Sequence, residues 1–178
     1  MDVEIEPEGS EDHEAVRRVV LAAFTTEPSV ADLVELIRAS PQYVAELSLV
    51  ARLGGDVVGH VMLSHAEVVA DDGTRHDVLT LSPLAVDPAH QRQGIGGALV
   101  RAGLARAQRT TAPLVLLEGS PAYYPRFGFR DARGLGITFD LPDWAPPDAG
   151  MTFPLLAYDP TVRGRVCYPP AFAAVAEH

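Results

Sequence analysis

The sequence predicts a single α/β (α+β) domain organised around a mixed β-sheet. Three observations carry that expectation. Residues 46–86 hold three strand-like segments joined by the turn signals Gly54-Gly55 and Asp71-Asp72-Gly73, the pattern of an antiparallel meander. A polar loop and a helix then lead to the short, apolar Leu114–Leu117, and a strand–helix–strand passage of that kind makes a right-handed parallel crossover. Finally, 178 residues without a composition break suit one domain, 1–178, with 134–178 as a C-terminal loop-and-strand extension.

The elements follow from local pattern. Val3 and Ile5 alternate with Asp2, Glu4 and Glu6, as in a short first strand. Ser10 is expected to cap a helix running to about Phe24, with Val16, Val19, Val20, Ala23 and Phe24 on its apolar stripe. Ser29 is expected to cap a second helix that buries Val30, Leu33, Val34 and Ile37, with Pro41 just past its end. Leu47, Leu49, Ala51 and Leu53 then alternate with Glu46, Ser48, Val50 and Arg52. Residues 57–69 read as the returning strand, and Val78–Val86 as a third, with Pro83 marking a bulge or bend. Asp87–Gln93 is a polar loop, and Gly94 to about Arg109 is helical, with Ile95, Leu99 and Ala102 on one face. Residues 119–127 form a turn or short helix, and Gly128-Phe129 open a short strand. The Gly-, Pro- and Asp-rich 134–150 reads as a long loop before strands at Met151–Ala157 and Val166–Tyr168.

Composition excludes several chemistries. The chain has no lysine, so it carries neither a Walker A loop nor a lysine Schiff base. A formal charge of −10 counts against a nucleic-acid partner, which needs a basic face to neutralise phosphates. The lone Cys167 forms no intramolecular disulfide and reads as a small buried hydrophobe. His13-Glu14 lacks a second histidine four residues on, and no metal site is expected. The acidic start from Met1 to Glu6 is no leader peptide, and no apolar run reaches membrane-spanning length. The expectation is a cytoplasmic protein with no membrane partner.

The informative stretch is Leu84-Ala85-Val86-Asp87-Pro88-Ala89-His90-Gln91-Arg92-Gln93-Gly94-Ile95-Gly96-Gly97. A buried strand ends, a polar loop follows, and glycines open a helix. Amides at a helix start lack intrahelical partners, the helix dipole is positive there, and glycine lets a ligand come close. This makes a phosphate cradle, with Arg92 as added charge. Two other readings stand beside it. One is a helix start with packing glycines only. The other is a dinucleotide fingerprint, which Gly94-x-Gly96 and Glu118 suit but Leu99 and the long loop do not.

Gln91-x-x-Gly94-x-Gly96 after Leu84-Ala85-Val86-Asp87-Pro88 resembles the acyl-CoA-binding motif of the GNAT superfamily of N-acetyltransferases. Tyr123-Tyr124-Pro125-Arg126-Phe127-Gly128-Phe129 is similar to that family's aromatic-Tyr-x-x-x-Gly-Phe segment. The ending Tyr168-Pro169-Pro170-Ala171-Phe172 resembles that of a bacterial subgroup of predicted acetyltransferases. The likeness spans roughly residues 3–135 and implies a GNAT-like fold: a mixed central sheet, an antiparallel N-terminal meander, and splayed parallel strands, here 78–86 and 114–118, that bind acyl-CoA.

The resemblance further implies acetyl-CoA as cosubstrate, with transfer to a primary amine of a small molecule or peptide. Amides of Gln91, Arg92, Gln93, Gly94, Ile95, Gly96 and Gly97 would hold the pyrophosphate, and the Leu84-Ala85-Val86 edge would pair with the pantetheine. Tyr124 matches the tyrosine that protonates the departing thiolate. The base is less defined: Val78–Val86 offers no glutamate, and the chain has no asparagine. Glu118, His65 and a water relay are the alternatives. Acceptor walls would come from residues 24–40 and 134–150, where Trp144 either lines the pocket or pins the loop. A CoA-binding regulatory module without transferase activity is the alternative function, a tRNA-directed acetyltransferase is disfavoured by charge, and a C-terminal strand completing a neighbour's sheet would give a homodimer.

Overall fold

The computed structural model describes residues 2–176; Met1, Glu177 and His178 of the expected 1–178 span lie outside the described residues. Its sheet runs in the order β1 (Val3–Pro7), β2 (Ser48–Leu53), β3 (Asp56–Val69), β4 (Arg75–Val86), β5 (Leu114–Glu118), β8 (Gly150–Pro154) and β6 (Arg130–Asp131). β1 to β4 pair antiparallel in sequence order, and β4 and β5 are parallel, as the meander and crossover predict. β9 (Gly164–Cys167) extends the sheet beside the far end of β3 and pairs with β7 (Ile137–Thr138).

Alternation along the strands divides the core into two faces. Leu49, Val61, Leu63, Leu79, Leu81, Val115 and Leu117 pack under α3 (Ile95–Ala107). α3 comes down hard on the sheet: a Cβ at Gly59 would lie 2.9 Å from Leu99, and one at Gly103 2.9 Å from Leu63. Val50, Met62 and Ala85 face the other way, under α1 (His13–Ala23) and α2 (Ser29–Arg38). Leu114 and Leu116 share this second face with Val78 and the C-terminal strands. α4 (Pro170–Ala176) packs beside α2.

Several local expectations are corrected. Ser10 does not cap the first helix. The Gly9 amide donates to the Asp12 carboxylate (2.8 Å) and the Asp12 amide returns a bond to the Gly9 carbonyl (3.0 Å), which closes a 3-10 turn ahead of His13. Ser29 is the first helical residue, and Pro28, whose ring presets a helical φ, takes the cap position. The 134–150 stretch is not all loop, because it holds β7. Cys167 is exposed rather than buried.

The expectation at Pro83 holds. Opposite Val61–Leu63 of β3, β4 sets Leu81–Leu84, so one extra residue enters β4 at Ser82-Pro83. The bulge shifts the alternation. After Leu79 and Leu81, it is Leu84 and Val86 that face α3, while Ala85 turns to the other layer.

Candidate active site

β4 and β5 pair only at Leu79–Val115 and Thr80–Leu116. Pairing then stops while β4 runs on to Val86 and β5 to Glu118. The β4 edge beyond Leu81 is therefore left open toward β5, with unspent backbone donors and acceptors.

The loop after β4 is held by its own side chains. The Asp87 amide donates to the Val58 carbonyl (2.8 Å), the Asp87 carboxylate accepts from the Ala89 amide (2.9 Å), and Gln91 Nε2 donates to the Val86 carbonyl (3.0 Å). Arg92 (φ 62°) and Gly94 (φ 84°) both take left-handed backbone, the turn that aims successive amides into a concavity. The first amide bonded inside the helix is that of Ala98, to the Gly94 carbonyl at 3.0 Å, so the amides from Gly94 to Gly97 are free of the helix.

These amides rim a cleft of about 580 Å³. Of the residues expected to hold CoA, Leu84, Val86, Gln91, Arg92, Gly94, Ile95, Gly96 and Gly97 line it. Ala85 is buried on the opposite face and offers only main chain, and Gln93 is exposed outside the lining. A Cβ on Gly96 would sit 3.3 Å from the Tyr123 hydroxyl, in the space of the cleft itself.

Sequence reasoning missed five lining residues: His90, Arg101, Tyr123, Arg126 and Phe127. Arg101 lies over the Phe127 ring (5.0 Å), and Arg126 over Tyr123 (4.6 Å). The helical step from Gly97 to Arg101 was the available signal for the first of these. With Arg92, they bring three guanidiniums into one cleft of a chain with net charge −10. The field there opposes that of the protein as a whole.

Tyr124 and Glu118 lie outside the cleft lining, at the end of β5. Tyr124 belongs to the α3-side core. Its ring lies edge-on to Tyr123 (5.0 Å) and Phe129 (5.8 Å), over Gly119, where a Cβ would collide with it. Burial, with Tyr123 beside it, pushes its phenol up to about 12. Glu118 follows Leu114 and Leu116 in alternation, which puts it on the opposite face. Its side chain reaches solvent, yet enough protein surrounds the carboxyl that desolvation lifts its pKa above the ordinary value, against the opposing pull of the Tyr168 phenol. His65 is exposed on β3 opposite Leu79, where β4 and β5 are still paired, and its amide donates to the Gln42 carbonyl (3.0 Å). Trp144 is 85% exposed, so it does not pin its loop to the core. No group of three or more metal-ligating side chains occurs among the described residues. No described helix is long and apolar enough to cross a membrane.

A family model described as an acetyltransferase (GNAT) domain matches residues 4–132. The uncharacterized N-acetyltransferase YjhQ of Escherichia coli is 35% identical over 121 residues, which span 67% of this chain and 65% of YjhQ. A crystal structure of a GNAT family acetyltransferase from Brucella melitensis in complex with acetyl-CoA superposes with a TM-score of 0.77 and 29% identity, covering 96% of this chain and 98% of that one. The structure of YhbS from Escherichia coli in complex with CoA superposes with a TM-score of 0.84 and 28% identity, covering 96% and 92%.

Proposed function

This chain belongs to the GNAT family of acetyltransferases, and from that premise we propose that it moves acetyl from acetyl-CoA directly to a primary amine of a small molecule or peptide. One observation carries the reading: an arginine-rich cleft with free amides on its rim opens beside the unpaired end of β4. Diphosphate suits such a rim. The acetyl-CoA and CoA held by the Brucella and YhbS proteins support the same donor here. The three strands that 134–178 adds to the sheet, β7, β8 and β9, support reading the chain as one catalytic unit.

The chemistry is assigned to the two faces of the opening. An alkylammonium with pKa about 10 must lose a proton before it attacks. Glu118, on the second face, takes that proton; its raised pKa makes it a stronger base than an ordinary carboxylate. The amine nitrogen bonds to the thioester carbon while a β4 main-chain amide in Leu84–Val86 stabilises the carbonyl oxygen as it gains charge. The carbon–sulfur bond breaks, and the thiolate takes a proton from Tyr124 on the α3 side. With its phenol at about 12, Tyr124 holds that proton at neutral pH until the thiolate forms.

The test is calorimetric titration of acetyl-CoA into the wild type and Gly96→Val, followed by thiol release with an amine panel. Micromolar binding that the variant loses, followed by amine-dependent thiol release, is the expected result. Failure of the wild type to bind overturns the transferase reading. Binding without turnover on any amine points to a CoA-binding regulatory module.

A further inference from the structure

We propose that Arg101 and Arg126 form a clamp for the ribose 3′-phosphate of the donor, so that the cleft selects CoA over dephospho-CoA. The inference rests on acetyl-CoA being the donor. Arg17, Arg38, Arg52, Arg75, Arg133 and Arg165 pair with carboxylates. Among the described residues, none of the three arginines that line the cleft makes such a pair. Arg126 is held another way. Its Nε donates to the Tyr123 carbonyl (2.8 Å), and its guanidinium lies over the Tyr123 ring at 4.6 Å. Arg101 reaches back along α3, so that a Cβ on Gly97 would be 3.1 Å from its Nη1, and its guanidinium lies over the Phe127 ring at 5.0 Å. The two rings meet edge-on, 5.2 Å between centroids. One aromatic pair therefore seats both guanidiniums, one from α3 and one from the turn after β5. A guanidinium held over a ring still presents N–H groups along its edge, and that edge matches the oxygens of a phosphate.

Charge and order together assign the phosphate. Each phosphorus of a diphosphate diester carries one charge, whereas a phosphate monoester has a second pKa of about 6 and is close to a dianion at neutral pH. Free amides with Arg92 suit the first. Two guanidiniums without carboxylate partners suit the second. Starting at the open β4 edge, the cleft presents Leu84 and Val86, then the amides of Gly94 to Gly97, then Arg101, rooted one helical turn on, and Arg126 on the adjoining ring. CoA runs in the same order, from thioester and pantetheine through the diphosphate to the ribose that bears the monoester.

The experiment is calorimetric titration of CoA and of dephospho-CoA into the wild type, Arg101→Ala, Arg126→Ala and the double variant. The wild type is expected to bind CoA more than about tenfold tighter than dephospho-CoA. Each single variant should lose about fivefold for CoA and little for dephospho-CoA, and the double variant should bind the two nearly alike. Both arginines are exposed, so the preference should also shrink as salt rises. Gly96→Val, at the amide rim, should weaken both ligands together. Equal losses for the two ligands in the arginine variants would put these side chains on the diphosphate and overturn the proposal. A wild type that binds the two ligands alike overturns it as well. A wild type that binds neither overturns the donor reading on which it rests, so the two failures are told apart.

Discussion

The Arg38 guanidinium closes on the Glu8 carboxylate through two parallel hydrogen bonds, Nε at 3.0 Å and Nη2 at 2.9 Å, and so fastens the end of α2 to the residue after β1. The Glu8 side chain is wholly buried, that of Arg38 is 13% exposed, and the Tyr43 hydroxyl donates a further bond to Glu8 (3.0 Å). Removing one partner strands the other. Glu8→Leu should cost roughly 3–5 kcal/mol in urea denaturation, and adding Arg38→Met should restore much of it. A single-variant loss below about 1 kcal/mol would show that the pair behaves like a surface bridge.

His60 predicts the pH dependence of stability. Its Nδ1–H donates to the Leu49 carbonyl (2.9 Å), and its Nε2 is buried without a partner. Burial chiefly holds its pKa down at about 4, against an ordinary 6.5. Between those values the unfolded chain binds a proton that the folded chain refuses, so stability must fall as pH falls across that window. Glu8 adds to the loss lower down. Burial raises its carboxyl, but the Arg38 hydrogen bond and the neighbouring His60 and Ser48 outweigh this and leave it below 4.5. Its contribution is therefore complete above 4.5 and disappears as pH drops through its folded value. The urea midpoint should decline from neutral pH toward 4, and His60→Gln should flatten that decline. Equal slopes in the two proteins would refute the assignment.

Arg101 should matter to the donor through charge. Arg101→Ala is expected to weaken acetyl-CoA binding about fivefold, near 1 kcal/mol, and to reduce its dependence on salt. Calorimetry at low and high ionic strength reads both. Unchanged affinity would remove Arg101 from the phosphate side of the cleft.

The adjacent tyrosines should separate by function. Tyr124→Phe is expected to lower kcat by roughly a hundredfold or more with little change in KM for acetyl-CoA. Tyr123→Phe, at the hydroxyl above Gly96, should act on KM instead. The opposite split in steady-state kinetics would transfer the acid to the cleft-lining Tyr123.

What was legible in the sequence was local or periodic. The meander could be read from alternation and turn glycines, and Pro83 announced the bulge because proline cannot join a ladder as a donor. The helix starts failed at Ser10 and Ser29 because a hydroxyl cap competes with whatever stands next to it, here a carboxylate reaching back to Gly9 and a proline already in helical geometry. β7 escaped notice because two residues form a strand only when β9 arrives to pair with them. At the site, the Gln91–Gly97 loop was visible as one run of sequence. Arg101 could be placed near the rim by its helical step from Gly97 and Arg126 beside Tyr123 by their spacing of three, but the seating of Arg101 over Phe127 is a product of tertiary packing between α3 and the turn after β5.

The extra residue at Ser82-Pro83 makes the donor cleft a matter of counting. Leu84 and Val86 face α3 only because β4 is one residue longer there than its partner. Deleting either bulge residue would turn Ala85 toward α3 and press Leu84 and Val86 beneath the other helix layer. It would also draw Asp87, and the amide rim behind it, one position along the sheet. Exchanges of one apolar side chain for another along this strand are small perturbations by comparison. Natural and engineered drift here should therefore run through spelling and almost never through length.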